Sequence, residues 1–180
     1  MKNKSLMTAA IAAALITATA AVGVSARQDG QHPTQGHGHD GHSKGVNERG
    51  DRVMGFDHEK TKHQFLLYAD GGVIEVTANE ADDKESRDQI RKHLGHIAKM
   101  FAEGNFKAPM LIHDRTPPGV PVLQRLKAEI RYEYEETERG ARVRIKTANA
   151  EALAAVHDFL RFQIEDHKTG DSTEVKAPAE

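Results

Sequence analysis

The sequence contains no cysteine and no tryptophan in 180 residues, and aromatic side chains make up only 5% of it. Without cysteine there is no disulfide staple, no Cys-x-x-Cys-His attachment for haem and no thiolate for a metal. Any metal site must therefore use His, Met, carboxylate or water. Basic residues are not in excess, with 25 Lys and Arg against 27 Asp and Glu. That balance argues against a nucleic-acid surface, which works by releasing counterions from basic clusters. A serine-nucleophile motif, a phosphate-binding Gly-rich loop and the His-Glu-x-x-His zinc-protease pattern are missing too, so the motifs name no reaction.

Only one long apolar run is present, and it lies at the start. Lys2 and Lys4 precede an uncharged stretch from Ser5 to Val24, and Val24-Ser25-Ala26 puts small residues at the last and third-last positions. These are the parts of a cleavable signal peptide over residues 1–26, and they predict a periplasmic or secreted protein with no membrane span once the signal is removed. Removal takes two lysines and no acid, which makes the mature chain more acidic. Residues 27–53 hold almost nothing apolar and cannot offset the entropy of ordering, so they predict a disordered His-rich arm. Residues 54–168 predict a single α+β domain, and residues 169–180 a short disordered tail.

Within the domain, two stretches alternate with period two on either side of a turn. His63 to Ala69 and Gly72 to Ala78 flank Asp70-Gly71-Gly72. Ile130, Tyr132 and Tyr134 alternate with charged residues, as do Val143 and Ile145 after a Gly-containing turn. Each hairpin ends in Thr-Ala-Asn, at Thr77 to Asn79 and Thr147 to Asn149, and Asn is a good helix N-cap. A helical stripe follows each time: Ile90, Leu94, Ile97 and Phe101, then Leu153, Val156, Leu160 and Ile164. The pattern predicts a ββα unit used twice, giving a four-stranded antiparallel sheet with two helices on one face. Met110-Leu-Ile in the connector is expected as a short strand, and Pro121 as the opening of a short helix.

Eleven histidines and five methionines form an unusual ligand inventory for an exported chain without cysteine. Imidazole suits copper, zinc and nickel, and a thioether adds preference for reduced copper. His37, His39 and His42 fall in Gly36-His-Gly-His-Asp-Gly-His, where glycines let the chain wrap an ion. Cleavage after Ala26 puts Asp29 third, so amino-terminal copper capture through a third-position histidine is excluded. In the domain, His58 and His63 approach the first strand, and His93, His96 and Met100 lie at i, i+3 and i+7 on the first helix. If the strand starts beside that flank, these imidazoles converge on one ion. His157 falls in an apolar stripe and is expected as a core residue with its N–H satisfied. His167 at a helix end is explained by the dipole. His113-Asp114 forms a sequence-adjacent pair that resembles a base with its orienting carboxylate.

The segment Ala155-Val-His-Asp-Phe-Leu-Arg-Phe-Gln-Ile-Glu-Asp-His-Lys-Thr-Gly-Asp171, with Met54-Gly-Phe-Asp-His-Glu-Lys-Thr-Lys-His63 and Pro117-Pro-Gly-Val-Pro121, resembles a family of small exported bacterial proteins over nearly all of residues 54–171. The resemblance implies export and carries no activity or site residue. The leading expectation is an exported protein that buffers or delivers a metal ion, copper before zinc or nickel. The alternatives are a small periplasmic enzyme using a histidine as acid or base, and a protein-interaction module whose Arg- and Glu-rich sheet face binds a periplasmic partner.

Overall fold

The computed structural model describes residues 38–178, with side chains from residue 45 onward. The stretch expected as a signal peptide, 1–26, and the expected arm through His37 lie outside the described residues, as do the side chains of His39 and His42. The composition of residues 27–53 predicts a flexible arm, but from Gly38 the chain is instead a helix, α1 (Gly38–Met54). It carries three glycines after its first residue, so propensity alone does not hold it. Packing does: Val46 is fully buried, Met54 is buried, and Arg49 Nε donates to Ile112 O at 2.7 Å.

A 3-10 turn (His58–Lys60) leads into β1 (Thr61–Tyr68) and β2 (Gly71–Ala78), joined by the expected tight hairpin. Gly71 has a φ of 150°, and a Cβ there would meet Ile145 O at 1.7 Å, so only glycine fits the turn. Helix α2 (Lys84–Ala102) is capped by Asp83, which accepts from Ser86 N at 2.9 Å, rather than by Asn79. Asn79 ties the hairpin to Glu59 O instead. The connector forms α3 (Lys107–His113), where a strand was expected around Met110, and α4 (Val120–Arg125), with Pro121 in its first turn. Met110-Leu-Ile is helical because only Ile112 of the three is fully buried while Leu111 points to solvent, a one-sided pattern that no neighbouring strand completes.

The second hairpin, β3 (Arg131–Thr137) and β4 (Gly140–Lys146), precedes α5 (Ala150–His167), which Asn149 caps by accepting from Glu151 N and Ala152 N. The architecture is α+β, but the sheet has five strands in the order β3-β4-β2-β1-β5 and is mixed, which corrects the four-stranded antiparallel expectation. The added strand is β5 (Val175–Lys176), inside the tail expected to be disordered, and it pairs parallel with β1 at Leu67 and Tyr68. Asp171 prepares this pairing, because its carboxylate accepts the Phe65 N–H at 2.9 Å along the same edge. No purely local pattern predicts a two-residue strand, whose stability comes from the edge it covers.

Alternation along the strands sets the layers. Phe65 and Leu67, Ile74 and Val76, and Val143 and Ile145 point toward the helices. Gly72 on that face meets Leu160 of α5, and Tyr134 meets Gly95 of α2, so both helices cover the same side. Glu133, Glu135, Arg142 and Lys146 face the other way, with Arg142 forming a fork on Glu135 at 2.9 and 2.7 Å. Among the described residues, no helix is long and apolar enough to cross a membrane.

Candidate functional site

Beneath the β1 end of the sheet, helices α1, α2, α3 and α5 close over a cavity of about 60 Å³. Its walls are mostly apolar, with His63, His93, His113, His167 and Gln163 the polar exceptions, and Met54 contributes a thioether. His63 comes from the helix-facing side of β1, as its alternation with Phe65 requires. His93 comes from α2, one residue before the buried Leu94, and His167 from the last turn of α5. The His63 and His167 rings stack with centroids 5.7 Å apart and planes 5° from parallel. Phe56 lies against both His63 (5.9 Å) and His93 (5.5 Å), and Phe65 lies against His167 (5.8 Å).

No hydrogen bond among the described residues reaches the ring nitrogens of these three histidines. Burial pushes the pKa values of His63 and His93 down to about 4, with neighbouring His58 and His63 adding to the respective shifts. Burial, aided by His63 and His113, pushes His167 down to about 3. All three rings are therefore neutral at pH 7, the form in which imidazole ligates metals.

His113 behaves differently. It is 1% exposed, and both ring nitrogens are engaged: Nδ1–H donates to Asp166 Oδ2 at 2.6 Å, and Nε2 lies in hydrogen-bond contact with the Gln163 side-chain amide at 2.9 Å. Arg115 donates to the other Asp166 oxygen at 2.7 Å and lies 4.7 Å over the Phe162 ring. Burial pushes the His113 pKa down, opposed by the bonds to Asp166 and Gln163. The orienting carboxylate is thus Asp166, fifty-three residues away, and not Asp114, which takes a left-handed conformation at the end of α3. With both nitrogens committed and no exposed edge, His113 is a structural strut and not a base presented to substrate.

The remaining candidates fall elsewhere. His58 turns from the cavity and bonds through Nδ1 to the Asp51 carboxylate at 2.9 and 3.0 Å. His96 is exposed on α2, in a surface cleft with Arg91, Lys92, Tyr132 and Tyr134, and Met100 packs against the core. His157 Nε2–H donates to Tyr68 O and Gly71 O at 2.9 and 3.1 Å and locks the first hairpin to α5. Of the domain candidates, then, the cavity holds His63 and His93, and His58, His96 and Met100 are apart from it. The sequence reading missed His167, Gln163 and Asp166. Phe159, Gln163 and His167 recur every four residues beside the Val156–Leu160–Ile164 stripe, and that widened stripe was the available signal.

Among the described residues, Asp51, Asp57 and His58 are the one trio of His or acidic side chains that brings ligand atoms within 4.8 Å of one another. Those groups are already used in hydrogen bonds: Asp51 holds His58, and Asp57 caps the 3-10 turn through Glu59 N. The His63 and His167 rings stand slightly farther apart than coordination requires. Two imidazoles on one tetrahedral ion, with metal–nitrogen bonds of about 2.0 Å, place their centroids roughly 5 Å apart. At 5.7 Å the His63–His167 pair exceeds that, and closing the gap takes a shift of χ1 or backbone, because the χ2 axis runs close to the ring centre and leaves the centroid in place. No protein-family model, curated protein or solved structure matches the chain.

Proposed function

We propose that the protein is an exported metal-binding protein that buffers or delivers copper, with His63, His93 and His167 as the ligand set. One observation carries this reading. Three imidazoles from three separate elements meet at one apolar cavity with ring nitrogens that nothing else engages. Each ring is only partly shielded from solvent and is neutral at pH 7, so its nitrogens are available to an ion. The frame that assembles them is read as a hairpin–helix unit used twice and extended by β5.

The charge balance favours cuprous copper over zinc. The three ligands are neutral, so the ion's charge stays uncompensated inside the cavity, and the desolvation cost of a charge grows with its square. A monovalent ion therefore fits where a divalent one is strongly penalised. Met54 in the same wall adds a soft ligand type that points the same way. Asp51 is close enough to His63 to oppose the fall of its pKa, and it supplies the negative potential at that edge.

The test is an anaerobic titration of cuprous ion against a chromophoric competing chelator, and of zinc in parallel, into the chain from residue 27 onward. The same titration is run on a form beginning at residue 38, which keeps all of α1 and lacks His32 and His37, and on His63→Phe and His93→Leu. The expected result is one tight cuprous site that survives removal of residues 27–37 and is lost in both substitutions. Binding no tighter than about micromolar in every form, or binding indifferent to His63 and His93, removes the reading.

A further inference from the structure

The two edges of the sheet are finished differently. The chain closes the β1 edge itself: β5 pairs with Leu67 and Tyr68, Asp171 accepts the Phe65 N–H at 2.9 Å, and Ala69 N donates to Lys176 O at 2.9 Å. The opposite edge is β3, which pairs with β4 on one side only. Thr137 and Gly140 close a two-residue turn and so bond to each other, and by alternation Glu135, Glu133 and Arg131 also bond to β4. The backbone N–H and C=O groups of Tyr132, Tyr134 and Glu136 therefore point outward, and no backbone or side-chain group among the described residues pairs with them. A bare row of donors and acceptors is a template for a further strand.

What flanks the edge sets the chemistry of that strand. Tyr132 and Tyr134 turn toward α2 and form a cleft with Arg91, Lys92, His96 and Lys99, and none of the described residues lining it is acidic. Arg91 is committed to the fold, with Nη1 3.0 Å from Glu136 and bonds to Thr137 O and Gly140 O at 2.7 and 3.1 Å. Lys92 and Lys99 are exposed and make no ion pair among the described residues. Two turns of α2 separate them, roughly 10 Å along the axis. Side chains on one face of a strand recur roughly every 7 Å, so two carboxylates opposite Tyr132 and Tyr134 fall between the two ammonium groups. The far face of β3 asks for no charge, because Glu133 and Glu135 are already paired with Lys146 and Arg142 at 3.6 and 2.7 Å.

We infer that the free edge of β3 docks an extended segment of a partner protein that carries acidic side chains at alternate positions. The segment adds antiparallel to β3 as a further strand of the sheet. Its main chain bonds to Tyr132, Tyr134 and Glu136, and its carboxylates enter the cleft beside Lys92 and Lys99. Main-chain pairing supplies the affinity, and the alternating carboxylates supply the choice of partner. A second copy of the chain fits less well, since antiparallel self-pairing centred on Tyr134 sets Glu133 opposite Glu135 of the other copy, and like charges directly opposite are destabilising. The inference is independent of the metal reading, with which it shares no residue.

The probe is a fluorescein-labelled peptide, Thr-Glu-Thr-Glu-Thr-Glu-Thr, titrated at low salt with the chain from residue 27 onward and followed by fluorescence anisotropy. Saturable binding is expected, weakened about tenfold or more when Lys replaces each Glu and in the double variant Lys92→Glu, Lys99→Glu, whose two positions are exposed. N-methylation of the peptide leaves the protein untouched. In the antiparallel pairing the amides of the Glu residues face β3, so methylating them should weaken binding about tenfold or more, while methylating the Thr amides should not. Absence of saturation up to about millimolar peptide overturns the inference. Equal binding of a peptide with its Glu residues consecutive, or a loss on Glu methylation no larger than on Thr methylation, leaves only charge attraction and overturns strand addition. Sedimentation equilibrium gives the remaining outcome: a dimer that Tyr134→Pro dissolves, by removing an N–H at the free edge, would assign that edge to a second copy and overturn the partner.

Discussion

Two groups of imidazoles lie side by side under the sheet, touching where His113 meets His167 at 4.9 Å, and they are satisfied in opposite ways. In the first, His113 has both nitrogens bonded and His157 donates to two carbonyls, so each ring ties distant segments together. In the second, His63, His93 and His167 border a cavity and engage only in ring contacts. His113 and His157 are buried and the three cavity rings only partly so, and the bonding differs more sharply than the exposure. The distinction lies in whether the ring nitrogens have somewhere to go.

The comparison is broken hardest at Asp166. Asp166→Ala removes the partner of a fully buried imidazole and of Arg115, and loss of one member of a buried charged network costs about 3–5 kcal/mol. Arg115 is half exposed and can rehydrate, so the lower end, about 3 kcal/mol, is expected in urea denaturation. His157→Leu should follow at about 1–3 kcal/mol, since it leaves the Tyr68 and Gly71 carbonyls without their donor at the first hairpin. His93→Leu should do the reverse. It removes a partly exposed ring that no hydrogen bond among the described residues reaches, so stability should hold within about 1 kcal/mol while cuprous affinity falls at least tenfold, roughly 1.4 kcal/mol of binding. A His93→Leu protein as damaged as Asp166→Ala would place both groups in one structural class.

Titration sharpens the same contrast. His63, His93 and His167 have folded pKa values of about 4, 4 and 3, below the ordinary histidine value of 6.5. The unfolded chain therefore takes up protons first as pH falls. Stability of the metal-free protein should be full above pH 6.5 and decline from there toward pH 4, by at most about 1.4 kcal/mol per pH unit for each ring kept neutral. Urea midpoints at pH 7.5, 6 and 5 measure the slope, and His93→Leu should reduce it. Bound copper should leave that decline in place and extend it below pH 4, because ligation keeps the native rings unprotonated where the unfolded chain has taken up protons.

Much of the frame was legible because it is written locally. Period-two runs, the Asp70-Gly71 turn and the Asn149 cap each occupy a few consecutive residues, and each has a counterpart in the structure. The misses share a cause. Helix α1 is too polar and Gly-rich to be expected from composition and is held by Val46 and Arg49 against elements more than sixty residues away. Strand β5 exists only because β1 offers an edge that Asp171 has already engaged. The site divides the same way. His63 and His93 were within reach of alternation and helical spacing, but His167 seemed explained by the helix dipole, and Gln163 carries no ligand signal of its own. What joins them is a cavity, a property of four packed elements that no single segment encodes.

The smallest expected effect tests whether spacing or burial chooses the ligands. His96 and His93 are one helical turn apart and were equal candidates in the sequence, but His96 faces solvent beside Lys92 and Tyr134. Its one connection to the site is electrostatic, since it helps hold the His93 pKa down. His96→Ala removes that repulsion and no ligand, so unfolding free energy should change by less than about 0.5 kcal/mol. Cuprous affinity at pH 7, where the cavity rings are already neutral, should stay within about twofold, a difference of less than 0.5 kcal/mol. If His96→Ala weakened copper binding as much as His93→Leu, the ligand set would have to be redrawn along the exposed face of α2, and the cavity would lose its claim to the ion.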